Sequence, residues 1–399
     1  MTGTDEKLLD ALRCAVHGER AQWSPAPSRA DWNRLFWQAR SHNTLPLVAE
    51  AVYLSLDPAD RFRAMLVREA RQLTIQQARR TADFLLLYEE LQRRGLHPAV
   101  VKGIVLRSLY PVPEQRASVD EDLLVSDAEF PAVHRALIDL GFSAVNPEAA
   151  DEVTYLSDLR GLYLEVHRQL LPPSDAYGDC NVPFVDCLDR TVEVMIQDVS
   201  VRTLSPTDHL LFLICHAYKH FLHGGVGIRQ LCDMGLFVQR YGNQIQWQHI
   251  LDACRSLHID RLAAAMFRIG AEHLALPLPE IFAGYEEDVQ PLLGDVLSGG
   301  VYGMSDLNRA HSSTLTLEAV AAERQGRRRG GVLRSVFLPA SSLEGRYTYL
   351  RSHKWLLPAA WTQRVWDYVF RQKHVDPAHS VRIARQRIDL FAKYGIISQ

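Results

Sequence analysis

Apolar residues recur along this chain in two rhythms, and the rhythm changes twice. Up to residue 95 they return at three- and four-residue steps. In "SRADWNRLFWQARSHN", Trp32, Leu35, Phe36 and Ala39 share one face behind Ser28 or Asp31 as a cap, which predicts a helix. From Asp57 to Arg94 the same step carries Phe62, Leu66, Ala70 and Leu73, then Thr81, Phe84, Tyr88 and Leu91 after a small phase shift. Gly95 closes that stretch as a C-cap glycine does.

Leu96 to Val101 is short, rich in valine and bounded by Gly95 and Gly103, the signature of a buried strand. "GIVLRSLYP" predicts a short helix stopped near Pro111, and "VDEDLLV" the next strand. "SDAEFPAVHRALIDLGF" predicts a helix capped by Ser126 or Asp127 and ended by Gly141. "EVTYL" and "LYLEVHRQL" flank "SDLRG" as a hairpin would. Past Val201 the chain turns helical again, with Ser205 as N-cap and Pro206 at the first helical position. The expectation is an α+β fold: a helical region over 1–95, a mixed-sheet α/β core over 96–204, and a helical domain over 205–399.

Composition narrows the function classes. The chain has 399 residues, 47 % apolar and 23 % charged, as ordinary folded proteins do. A net charge of −3 provides no basic field, which argues against a nucleic-acid partner. The strongest apolar run, Leu210 to Cys215, is far short of the roughly 20 residues that span a bilayer, so no membrane segment is expected. The charged start "MTGTDEKLLDALRC" predicts no secretory signal, and six cysteines without a CxxC pair read as reduced thiols. A cytoplasmic location follows as the expectation.

The chemistry concentrates in "SVDEDLLV". On a strand, Asp120 and Asp122 share a face and Glu121 takes the other. Carboxylates whose Cα atoms lie roughly 6.6 Å apart repel by about 2.5 kcal/mol at an effective dielectric near 20. Either the strand entry is exposed, or Mg²⁺ or Mn²⁺ reverses the repulsion. Lys102-Gly103 stands at a strand-to-helix corner, where backbone can approach a phosphate. Glu165 and His167 share one face of a later strand, and Glu165 becomes a third carboxylate if the two strands are neighbours.

Residues 100–125, with "LYLEVH" further on, resemble the nucleotidyltransferase superfamily related to DNA polymerase β. They are most similar to its bacterial branch of uncharacterised nucleotidyltransferases, and the likeness runs on through "LLFLICHAYKH" and "WLLPAAW". The resemblance implies transfer of a nucleoside monophosphate from an NTP to a hydroxyl on a small molecule, modified peptide or protein. It implies Asp120, Asp122 and Glu165 as catalytic metal ligands for Mg²⁺ or Mn²⁺. Lys102, Gly103, Arg116 and His167 become the nucleotide-binding set, with Gly103 and its helix start on the triphosphate. Two departures stand out: Lys102-Gly103 replaces the superfamily's Gly-Ser, and Glu121 replaces an apolar residue under the sheet. They keep open a second reading, an inactive descendant that binds a nucleotide or partner.

His216 and His220, four apart on one helical face, read as packing, cleft-facing or metal-binding residues. Arg229 and Asp233, one turn apart, predict an ion pair. The arginine cluster at 324–331 reads as an exposed loop, Trp355, Trp361 and Trp366 as a core or docking face, and "RIARQRIDLFAKYG" as a helix with a solvated basic side.

Overall fold

The computed structural model describes residues 2–57, 61–146, 152–157, 161–174, 176–300, 307–324, 347, 349–366 and 377–398. Helices α1 (Gly3–Val16), α2 (Arg29–Ser41) and α3 (Leu45–Val52) come first. Capping boxes start α1 at Thr2 with Asp5 and α2 at Ser28 with Asp31, so Ser28 is the cap. α4 (Arg61–Arg93) is one continuous helix, and Gly95 follows it at φ +74°.

Seven strands form one mixed sheet: β1 (Ala99–Val101), β2 (Asp120–Leu124), β3 (Ser143–Ala144), β4 (Glu152–Ser157), β5 (Leu162–His167), β6 (Val192–Ile196) and β7 (Val199–Thr203). Their order across the sheet is β3-β4-β5-β2-β1-β7-β6. β2 runs parallel to β5 and β1 parallel to β7; the other neighbours are antiparallel. The short helix α5 (Gly103–Arg107) follows β1, and α6 (Phe130–Asp139) follows β2. The β4–β5 hairpin forms, while its turn at 158–160 lies outside the described residues. The β6–β7 hairpin was not expected from the sequence.

Side-chain alternation gives the sheet two different faces. Val100, Leu123, Val125, Leu164 and Val166 pack with Phe84, Tyr88 and Leu91 of α4 and Val133 and Leu137 of α6. The other parity carries Ala99, Val101 and Leu124 into a second core with α7 (Pro206–His223). α7 is capped by Ser205, whose Oγ accepts from the Asp208 N–H at 3.2 Å, with Pro206 at its first position.

That second core is the larger one. It joins α1–α3 to α8 (Ile228–Tyr241), α9 (Trp247–Ser256), α10 (Asp260–Leu274) and α11 (Gln290–Gly299). α12 (Leu307–Arg324), α13 (Tyr349–Ser352), α14 (Leu357–Trp366) and α15 (Pro377–Lys393) complete the helices among the described residues. α15 is not simply a solvated basic face: Arg387 is 1 % exposed and donates to the carbonyls of Phe221 and His223 at the end of α7. Trp355 is 74 % exposed, Trp361 packs beside Leu350 and Ala360, and the side chain of Trp366 lies outside the described residues. Arg324 donates to Tyr218 Oη and Leu257 O at 3.1 Å; residues 325–331 of the arginine cluster lie outside the described residues. All six cysteines are free and buried, and among the described residues no helix is long and apolar enough to cross a membrane.

Candidate active site

The parallel pairing of β2 with β5 decides which acids meet. Its register sets Asp122 opposite Glu165, Asp120 opposite Tyr163, and Leu124 opposite His167. Asp122, Glu165 and His167 therefore project toward α7, and one ligand atom from each lies within 4.8 Å of the others. His167 Nε2 sits 3.0 Å from Asp122 Oδ1 and 3.6 Å from Glu165 Oε2, while its Nδ1 lies 3.6 Å from Glu152 Oε2 on β4. Asp120 is on the same face of β2, two residues nearer its exposed entry, and stands outside that three-residue group.

Lys102 closes the cluster from β1. Its Nζ lies 3.0 Å from Asp122 Oδ1 and 3.2 Å from His216 Nε2, with the Phe212 ring centre 5.5 Å away. Its backbone is at φ +58°, ψ −127°, a region that a residue with a Cβ enters at a cost of about 1–3 kcal/mol. The Lys102 N–H donates to His209 Nε2 at 3.2 Å. That bond requires His209 Nδ1 to carry the proton, 3.3 Å from Thr203 Oγ1, whose own hydroxyl donates to Val100 O at 2.6 Å.

The electrostatics follow from this arrangement. Burial would raise the Asp122 carboxyl, but Lys102 and His167 outweigh it and hold it at about 2. Burial also works against charge on His167, yet its bonds to Asp122 and Glu165 win and raise the ring to about 9. Burial raises Glu152, with His167 opposing. On α7 burial keeps the histidines neutral: with the Lys102 charge it takes His209 down to about 3 and His216 well below the usual range. His220, its Nε2 3.0 Å from that of His216, is held low by burial and Lys219. His216 and His220 thus line the cleft as neutral acceptors or donors, and the three-residue cluster does not include them.

Glu121 faces the other way and has a definite task. Its Oε2 accepts from the Ile104 N–H at 2.8 Å, and its Oε1 takes the Arg107 guanidinium. Glu121 is 4 % and Arg107 1 % exposed. Burial raises the Glu121 carboxyl, and Arg107 offsets it. A Cβ at Gly103, where φ is +36°, would stand 2.0 Å from Glu121 Oε2, so the glycine makes room for this carboxylate. The phosphate contact expected at the start of α5 is thereby displaced by an internal carboxylate on the far face of β2. What the sequence presents as a cost is a strut.

The structure also redirects Arg116. Its Nε and Nη2 pair with the two carboxylate oxygens of Asp233 at 2.6 and 2.7 Å, and Tyr110 Oη donates to Oδ1 at 2.7 Å. At 4 % exposure, Arg116 is a tie between the loop before β2 and α8, and a triphosphate would have to break that pair to reach it. Asp233 therefore does not pair with Arg229, whose Nη1 donates to Ala117 O. With Arg80 on Ser118 O at 3.1 Å and Arg107 on Ser118 Oγ, four arginines pin the loop that aims Asp120 and Asp122. Glu152, His209 and Lys219 are further residues around the cleft. The alternation of "EVTYL" opposite "LYLEVH" and the stripe through "DHLLFLICHAYKH" carry the signal for them.

Two carboxylates and an imidazole on one sheet face, with an ammonium already drawn to them, make a site fit for a divalent ion with oxygen and nitrogen ligands. A mixed sheet bearing such a cluster beneath a helical layer is consistent with a nucleotidyltransferase core flanked by helical regions. The family model for uncharacterised nucleotidyltransferases matches residues 28–275, and the chain belongs to that family. No curated protein and no solved structure matches it significantly.

Proposed function

We propose that this protein moves a nucleoside monophosphate from an NTP to a hydroxyl of a small molecule, modified peptide or protein. The observation that carries the reading is the β2–β5 register, which brings Asp122, Glu165 and His167 together under α7. Asp122 and Glu165 would hold Mg²⁺ or Mn²⁺, with Asp120 at the strand entry and His167 as the nitrogen donor. A bound divalent ion supplies charge neutralisation of the triphosphate and activation of the attacking oxygen. The acceptor oxygen bonds to the α-phosphorus as the bond to pyrophosphate breaks. Lys102, beside Asp122, supplies a further positive charge at that point. The net charge of −3 favours a compact acceptor over a nucleic acid.

One observation favours a second reading, a nucleotide- or partner-binding protein without turnover: Lys102 already occupies Asp122 Oδ1, and Glu121 fills the phosphate corner. The test is label from the α-phosphate of each NTP, incubated with Mg²⁺ or Mn²⁺ and a lysate of acceptors. Label should move with release of pyrophosphate, and Asp122→Asn should lower the rate by at least ~10²-fold. Asp122→Asn transferring label at near wild-type rate would end the metal-dependent reading, and NTP binding without pyrophosphate release would favour the second.

A further inference from the structure

The stripe of α7 that faces the acids runs His209, Phe212, His216, Lys219, His220 and His223. Its first three members touch Lys102: His209 takes the Lys102 N–H, Phe212 lies under Nζ, and His216 Nε2 is 3.2 Å from Nζ. His223 is bonded to Tyr177 Oη, and His220 to His216. Lys219 is the exception. It is half-buried, it lies one turn beyond His216, and it makes no hydrogen bond or ion pair within 4 Å among the described residues. Asp122, Glu165 and Glu152 all lie close enough for its charge to be felt, yet Lys102 and His167 are the groups that pair with those acids.

A half-buried ammonium without a partner is costly, and one beside a second lysine more so. Burial, reinforced by Lys102, lowers its proton affinity. The arrangement is stable in charge terms once an anion lies between the two lysines. We propose that Lys219 is a polyphosphate ligand: with Lys102 it receives the part of the NTP that leaves as pyrophosphate. This rests on the nucleotidyltransferase reading above and adds the cationic half of the site, contributed by the helical layer. As the acceptor hydroxyl gives up its proton to solvent and its oxygen bonds to the α-phosphorus, the electron pair of the broken P–O bond passes to the departing pyrophosphate. Lys219 neutralises the charge that develops there. Arg229, whose charge reaches His220, borders the same wall from α8 and keeps its Nη1 on Ala117 O.

Inorganic tripolyphosphate is the probe, because it carries no base. Its binding to the full chain is measured by calorimetry with Mn²⁺, beside a titration with Mn²⁺ alone. A charge-assisted hydrogen bond corresponds to about 10- to 100-fold in affinity, so Lys219→Met should weaken tripolyphosphate by that factor. Lys219→Arg, which keeps the charge, should stay within about threefold of wild type by the same scale. Mn²⁺ alone should bind Lys219→Met as well as wild type, or better, since a like charge has gone. Lys219→Met binding tripolyphosphate as tightly as wild type, while wild type binds it well, overturns the assignment and leaves the family chemistry intact. Wild type binding neither Mn²⁺ nor tripolyphosphate overturns the underlying reading, and this one with it.

Discussion

Replacing Glu121 by alanine removes the carboxylate that accepts from the Ile104 N–H and balances Arg107, a side chain 1 % exposed. Taking one partner from a buried ion pair costs about 3–5 kcal/mol, because the other charge stays in place without compensation. The freed Ile104 N–H adds to the loss, by up to ~1 kcal/mol. Burial of Glu121 itself works the other way, since the folded state no longer has to desolvate it. The net expectation for Glu121→Ala is about 3–5 kcal/mol, a large part of the ~5–15 kcal/mol of a typical domain. Glu121→Gln keeps an oxygen for the Ile104 N–H but still leaves the Arg107 charge uncompensated, so it should cost about 3 kcal/mol, the low end of the range for Glu121→Ala. Urea denaturation at neutral pH measures both, read as a shift in midpoint at constant slope. A cycle of Glu121→Met and Arg107→Met completes the test. The double variant should be more stable than either single one, since two apolar side chains leave no stranded charge. Glu121→Ala within ~1 kcal/mol of wild type, or a double variant with no recovery, would refute the strut.

Gly103→Ala forces a Cβ to 2.0 Å from Glu121 Oε2 at φ +36° and should cost about 1–3 kcal/mol. The part of the loss that comes from the Glu121 contact should vanish in the Glu121→Ala background while the backbone strain at φ +36° remains, which a double-mutant cycle by urea denaturation checks. His167 has an ordinary value of 6.5 raised to about 9 in the folded protein, so its contribution is complete below 6.5 and disappears as pH rises through 9. In EDTA the melting temperature should therefore fall between pH 6.5 and 9, and His167→Gln should flatten that slope. Asp122, lowered to about 2 from 3.8, keeps its contribution throughout that window and loses it only in acid. A slope unchanged in His167→Gln would place the titration elsewhere.

Local rhythm carried much of the fold. Alternation around Leu123 and Leu164 and the stripe of α7 are local signals, and each marks an element that the structure contains. The convergence of Asp122 with Glu165 was legible only as a condition, because strand adjacency is a long-range fact. β6 and β7 escaped since their turn is Gln197-Asp198, with Gln197 at φ +52°, where a hairpin usually announces itself with Gly or Asn. Arg116 finds Asp233 rather than the cleft through a contact that no spacing rule reaches. Glu121 is the most instructive case. An acid on the core parity of a strand reads as a defect until Arg107 and the Ile104 N–H, both from the next element along β1, are seen around it.

α7 also bears on how far this protein can be divided. It covers Ala99, Val101 and Leu124 on the acid-bearing face, accepts the Lys102 N–H through His209, and holds Lys102 Nζ through His216. A shorter chain ending before Pro206 would expose that apolar face to water and leave Lys102 in its strained backbone without either support. The sheet and its acids are thus not a portable module. Transplanting the acid cluster to another scaffold would have to carry α7 along.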